Sequence, residues 1–220
     1  ALVAVADRNA KAANEFASTF NVTAMSVDAL IEHTNIDGIV IATGAASHDE
    51  LALAGLIATK HIYIEKPLSL SLAGAHAIRD AAQSAQRQVM VGHLIRYHAA
   101  FIELQKQLAA GAIGSLCHVQ ANRLAMGRIR TTESVLFDLC PHDLSLILAL
   151  VGDLPNKIHC VGSSHITPGV VDFLTSFLGF DSGVSVGMQT SWLSPFKEHR
   201  LTVTGSAGAL VFDDIKPWPE

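Results

Sequence analysis

From residue 1 to about residue 91 the sequence alternates short runs rich in valine and isoleucine with alanine-rich stretches whose apolar residues recur at helical spacing. The pattern predicts strands over 2–6, 38–42, 61–64 and 88–91, and helices over 10–20, 26–32, 47–59 and 71–85. Few architectures satisfy that alternation. Strands that are apolar throughout are buried on both faces, and successive parallel strands need a crossover helix between them. The first part of the chain is therefore expected to form an α/β domain with a parallel sheet. Ligands of such sheets bind beyond the carboxyl ends of the strands, where Asp7, Thr43, Lys66 and His93 fall.

The pattern changes after a helix expected over 98–110. Gly111 and Gly114 punctuate the turn, and longer strands with a period of two follow, over 116–124, 157–163, 171–180, 183–193 and 199–205. Val184, Val186 and Met188 alternate with Ser185, Gly187 and Gln189, which suits an antiparallel sheet with one buried face. One helix, over 141–151 and stopped by Gly152, interrupts the run. The expected organisation is an α/β domain over 1–93 and an α+β domain with an open, mainly antiparallel sheet over 94–220. With 220 residues, half of them hydrophobic, the chain can bury two modest cores. It opens directly on the apolar run Ala1-Leu2-Val3-Ala4-Val5-Ala6, so it reads as a fragment of a longer protein, incomplete at its C-terminus as well.

A formal charge of -5 without any run of Lys or Arg argues against nucleic acid as a partner. Cys117, Cys140 and Cys160 have neither disulfide-framework nor zinc-knuckle spacing, which fits a reducing, cytoplasmic setting. Apolar runs such as 144–151 are too short to span a bilayer, and there is no basic export signal, so no membrane partner is expected.

Two motifs carry most of the chemistry. In His61-Ile62-Tyr63-Ile64-Glu65-Lys66-Pro67 a strand stops at a lysine locked between a carboxylate and a proline. Partial burial of an ammonium favours its neutral form, so a lysine in that pose is a candidate for proton exchange. The alternative is a surface Glu-Lys pair in an ordinary loop. In Asp138-Leu139-Cys140-Pro141-His142-Asp143, a helical or near-helical turn would place Asp138 and His142 on one face, with Pro141 in the first turn of the helix that follows. A carboxylate beside an imidazole raises its proton affinity and fixes its orientation. Asp138 and His142 are also of metal-ligand type, but no third ligand has convincing spacing, so no metal is assigned; helix capping is the remaining alternative.

Other candidates are weaker. Asp7, followed by Arg8, suits a carboxylate accepting hydrogen bonds from a ribose or capping the next helix. Thr43 and His48 stand at a strand end among small residues. Arg96, Tyr97 and His98 follow the last parallel strand. Arg123, Arg128 and Arg130, with Lys197 and Arg200 near Trp192, supply cations that suit an anionic small substrate.

Taken together, Ile41-Ala42-Thr43 with His48, Glu65-Lys66-Pro67, Val91-Gly92-His93 with Arg96-Tyr97-His98, and Asp138-x-x-x-His142 resemble the Gfo/Idh/MocA family of NAD(P)-dependent sugar dehydrogenases. Asn122-Arg123, Gly127-Arg128-Ile129-Arg130, Pro141-His142-Asp143 and the run from Ser191 to Lys197 look like the branch acting on nucleotide-linked sugars, including UDP-N-acetylglucosaminuronate 3-dehydrogenases. The resemblance implies a Rossmann-type sheet whose first strand and glycine-rich turn are missing from this chain, because no G-x-G-x-x-G occurs in it. It implies Lys66, Asp138 and His142 as the catalytic set. Asp7, Arg8, Thr43, His48, Glu65, Lys66, Pro67 and His93 would lie on the cofactor side, and Arg96, Tyr97, His98, Arg123, Arg130 and Lys197 on the substrate side. The cofactor would be NAD, with NADP left open by Arg8; the substrate would be a sugar or UDP-sugar. A homodimer or homotetramer through the open sheet is expected. Gly44 departs from the usual proline after the strand-end threonine. Two rival readings keep the fold: a non-catalytic NAD(P)-binding sensor, and a glycosidase or lyase using NAD as a transient oxidant.

Overall fold

The structure, a computed structural model, describes residues 1–127, 129–131 and 133–215. The chain divides into two compact units, Ala1–Gly92 and His93–Glu220.

The first unit runs β1 (Ala4–Val5), α1 (Ala10–Phe20), β2 (Thr23–Ala24), α2 (Val27–Glu32), β3 (Gly38–Ile41), α3 (His48–Ile57), β4 (His61–Ile64), α4 (Leu72–Ala85) and β5 (Val89–Val91). All pairings are parallel. β1 pairs with β2, and β3-β4-β5 form a second sheet in register Ile41↔Ile64 and Ile64↔Val91. The strand expected over 2–6 shrinks to two residues, and β2 has too little apolar sequence to announce itself. Helix starts follow elementary capping: Asn9, Ser26 and Ser71 each accept a hydrogen bond from a first-turn backbone N–H. Ile41, Ile62 and Ile64 pack against Ala52 and Leu56 of α3 and Ile78 of α4. Gly55 lets α3 approach the sheet, because a Cβ there would lie 2.7 Å from the Ile62 side chain.

The second unit begins with a 3-10 turn, Leu94–Tyr97. It continues through α5 (Ala99–Ala109), β6 (Leu116–Met126), α6 (Val135–Asp138), α7 (Cys140–Val151), β7 (Lys157–Ser163), β8 (Phe173–Gly179), β9 (Ser185–Ser191), β10 (Leu193–Gly205) and β11 (Ala209–Asp213). Its sheet has the order β11-β10-β6-β9-β8-β7. All neighbours are antiparallel except β6 and β9, which are parallel. Period-two alternation turns Val119 and Ala121, Val186 and Met188, Leu174 and Leu178, and Leu201 and Val203 to one face. There they join Phe101 and Leu104 of α5 and Leu146 and Ile147 of α7 in a single core. On the other face Thr175 and Phe177 are exposed.

The helical or near-helical turn expected between Asp138 and His142 takes the near-helical form. α6 ends at Asp138 and α7 starts at Cys140, with Leu139 between them at φ -107°. Pro141 has no N–H to continue a helix from α6, but it fits the first turn of a new one.

Candidate active site

In the first unit, the loops after β3 and β4 are tied to each other. Thr43 Oγ1 lies 2.8 Å from Ser47 Oγ, which donates to Gly44 O at 2.9 Å. His48 is 1% exposed; its Nδ1 lies 2.8 Å from Pro67 O and its Nε2 3.2 Å from Thr43 O. The imidazole therefore braces two strand-end loops from inside. A buried ring with both nitrogens against backbone carbonyls acts by packing these loops from inside. Glu65 is half-buried, and its N–H donates to Ile41 O at 2.9 Å. Gly92 is needed beside it, since a Cβ there would come within 2.8 Å of Tyr63 Oη and 3.2 Å of the Glu65 carboxylate. Lys66 is half-buried and Pro67 buried. Asp7 and Arg8 are exposed, and Asp7 Oδ1 accepts from Asn9 N at 2.7 Å, bracing the entry to α1.

In the second unit, burial holds the His93 imidazole below its ordinary pKa, and Arg96 lowers it further. His93 Nδ1 is buried without a hydrogen-bond partner. Arg96 and Tyr97 are exposed. His98 is held by its own helix: its Nδ1 accepts from Ala100 N at 3.2 Å, capping α5, and its ring meets Phe212 edge-on at 5.2 Å. The cap uses the acceptor nitrogen of the ring and leaves its N–H as a donor.

Asp138, 8% exposed, ends α6 with both carboxylate oxygens engaged. Trp192 Nε1 donates to Oδ2 at 3.1 Å, and Arg130 Nη2 donates to Oδ1 at 3.3 Å. His142 is half-buried in the first turn of α7, where its N–H donates to Leu139 O at 3.2 Å. The next residue, Asp143, is buried and takes a two-pronged ion pair from Arg123, with Nε at 3.0 Å and Nη2 at 2.8 Å. Asp214 accepts from the same guanidinium at 3.2 Å, and its Oδ1 lies 2.7 Å from His199 Nδ1. Burial alone would lower the Arg123 pKa, but the two carboxylates outweigh it and raise the value; burial pushes the Asp143 carboxyl upward against the pull of the guanidinium.

Arg123 is thus 4% exposed and committed to an internal network, not available to an anionic substrate as expected. The network bolts the first turn of α7 to β6 beside His142. Lys197 is exposed in the irregular stretch of β10 between Leu193 and Glu198. Arg128 lies outside the described residues. Sequence reasoning alone leaves Trp192, Asp143, Asp214 and His199 without a role at the site. One signal points toward them, since Arg123 shares the inward parity of Val119 and Ala121 on β6, and a buried arginine demands partners.

This combination of a parallel α/β unit with a Glu-Lys-Pro strand stop and an α+β unit with an Asp-x-x-x-His junction belongs to one class of oxidoreductase. The family description "Oxidoreductase family, NAD-binding Rossmann fold" matches residues 1–93, and "GFO/IDH/MocA C-terminal domain" matches residues 101–211, so the chain belongs to the Gfo/Idh/MocA family. It is similar to the UDP-N-acetylglucosamine 3-dehydrogenase of Acidithiobacillus ferrooxidans, with 31% identity over 86% of this chain and 59% of that protein. A solved structure of that enzyme superposes with a TM-score of 0.85, covering 96% of this chain and 68% of that one at 29% identity. The myo-inositol 2-dehydrogenase of Thermotoga maritima is 26% identical over 85% of this chain and 59% of its own length. The 2,7-anhydro-N-acetylneuraminate hydratase of Escherichia coli is 26% identical over 86% of this chain and 54% of its own. The chain thus spans less than two thirds of the length of these curated relatives.

Several features fit a dinucleotide. A Cβ at Gly44 would meet nothing within 4 Å, leaving open space at the end of β3, and His93 presents an unpartnered buried nitrogen. Asp7 follows β1, where a ribose-binding carboxylate belongs. The glycine-rich turn that cradles a pyrophosphate does not occur in these 220 residues. Among the described residues no group of three or more His, Cys, Asp or Glu could hold a metal ion, and no helix is long and apolar enough to cross a membrane.

Proposed function

We propose that this chain is part of a cytoplasmic NAD-dependent dehydrogenase that oxidises a hydroxyl of a sugar or nucleotide-linked sugar. The observation that carries the reading is the α6–α7 junction. There Asp138 is held by two donors and His142 opens a helix that is anchored through the next residue, Asp143, to a buried arginine. Positioned acid-base groups of this kind move a proton in step with a change at the neighbouring carbon. NAD, when bound, supplies the hydride acceptor. His142 takes the hydroxyl proton, Asp138 orients it, and Lys66 stabilises the alkoxide charge that develops; Lys66 and His142 can exchange these roles. Asp7 favours NAD because a carboxylate repels the 2′-phosphate of NADP, while Arg8 leaves NADP open. Arg130 and Lys197 offer charge to an anionic substrate, with Arg96 and Tyr97 exposed on the turn before α5. Residues 1–93 serve the cofactor and 94–220 the substrate, and the open sheet face serves self-association into a dimer or tetramer.

The test is to present the full-length protein with NAD and a panel of UDP-sugars and inositols and to follow NADH. Lys66→Ala and His142→Ala should each cost on the order of 100-fold or more in kcat. Unchanged turnover in both sinks the mechanism. A second reading has the hydratase relative in its favour: a lyase-type reaction in which NAD is reduced and reoxidised within each turnover. Product formed without net NADH would establish that reading instead.

A further inference from the structure

One buried side chain touches the Asp138 carboxylate without taking part in the proton transfer itself. Trp192 is 2% exposed, and its indole N–H lies 3.1 Å from Asp138 Oδ2. An indole nitrogen is a donor only, and a buried donor without an acceptor is costly, so the carboxylate and the indole define each other's orientation. Trp192 is itself held on both sides of its backbone. Its N–H donates to Asp172 O at 3.1 Å, and its carbonyl accepts from Gly127 N at 3.3 Å. Asp172 is fixed in turn, since its buried carboxylate accepts from His165 N at 2.7 Å, from Ile166 N at 2.9 Å, and pairs with His165 Nδ1 at 2.8 Å. The donor therefore arrives at Asp138 on a frame of backbone bonds running from the β7–β8 connection to the start of β10.

We propose that Trp192 is a positioning residue whose indole N–H, with Arg130 on the other oxygen, keeps Asp138 an oriented, ionised carboxylate, so that the substrate proton leaves through His142. Protonating Asp138 would remove the charge that strengthens both of these hydrogen bonds. The kinetic side of this inference rests on the dehydrogenase reading; the contact itself does not.

Two measurements on the full-length protein separate them. The indole N–H resonance of Trp192, identified by its loss in Trp192→Phe, should shift in Asp138→Asn, which keeps the size of the side chain but removes its charge. Trp192→Phe, which keeps an aromatic ring in the core and removes the donor, should lower kcat by about 10- to 100-fold with little change in KM, the loss expected for a hydrogen bond to a charged group. An indole resonance that ignores Asp138→Asn overturns the proposal, as does unchanged kcat in a folded Trp192→Phe protein. If the resonance responds but the protein turns over no sugar with NAD, the hold on Asp138 stands and the dehydrogenase reading falls.

Discussion

Arg123, Asp143, Asp214 and His199 form a hydrogen-bonded group inside the second unit, in which Asp214 joins His199 to Arg123. Burial alone would raise the Asp214 pKa, but the hydrogen bond from His199 and the charge of Arg123 bring it below the ordinary carboxylate range. A carboxylate whose folded pKa is depressed contributes stability that is fully present above its unfolded value of about 3.9 and disappears as the pH falls through the lower folded value. Asp214→Asn should therefore lower stability at neutral pH and flatten its decline below about pH 4, as read from urea midpoints across an acid series. Identical acid slopes for the two proteins would show that Asp214 is not tied to the network. The same residues mark where sequence reading stops. Arg123 finds Asp143 20 positions away and Asp214 91 positions away, and His48 finds Pro67 at 19. Each looks in isolation like an available polar group, and only the fold shows that its partners are internal. Lys66, Asp138 and His142 can be picked out from sequence as candidates because their neighbours, a proline and a helix start, already restrict them.

At the scale of elements, the start of α4 depends on an exchange between three segments. Ser69 Oγ donates to Asp49 Oδ2 of α3 at 2.9 Å and accepts from Ser71 N at 3.0 Å, while Ser71 Oγ caps Gly74 N at 2.9 Å. A Cβ at Gly74 would strike the Asp49 carboxylate and come within 2.5 Å of Ser69 Oγ. Gly74→Ala ordinarily strengthens a helix. Here it should destabilise the chain by about 1–3 kcal/mol, the usual range for overpacking, and thermal denaturation would show it. A rise in Tm would mean that Asp49 moves aside freely. The regular helices and longer strands of the chain follow from periodicity. β2 and β11 do not, the first because two residues carry no period. The Ser-Pro-Phe-Lys stretch reads as a loop, yet it lies within β10 as an irregularity of the ladder. α6 has four residues, too few to show a helical repeat before Pro141 forces a new start.

For the whole molecule, the two units rest on unequal cores. The buried apolar cluster of the first unit has six residues, and its parallel strands are split between two sheets, so β1 and β3 each pair on one side among the described residues. Among its described residues the second unit buries nineteen in one cluster under a six-stranded sheet. Hydrophobic burial is the main source of stability, and unpaired strand edges contribute little. In guanidinium, far-UV circular dichroism of a Trp218→Phe protein should begin to fall at lower denaturant than the emission of Trp192, which reports on the larger core. Coincident transitions would show that the units unfold as one. The larger sheet has a further practical consequence. Burial pushes the Cys140 thiol up to about 11 despite its contact with Thr190, whereas Cys117 on β6 and Cys160 on β7 are exposed. The native chain therefore exposes two cysteine side chains to an electrophile and withholds the third. The β6-β9-β8-β7 order puts three strand spacings between the two reactive sulfurs, and the registers add four residues along the strands. Their separation is on the order of 20 Å. A pair of spin labels attached there would make the sheet its own ruler, able to report twisting or opening without any engineered cysteine.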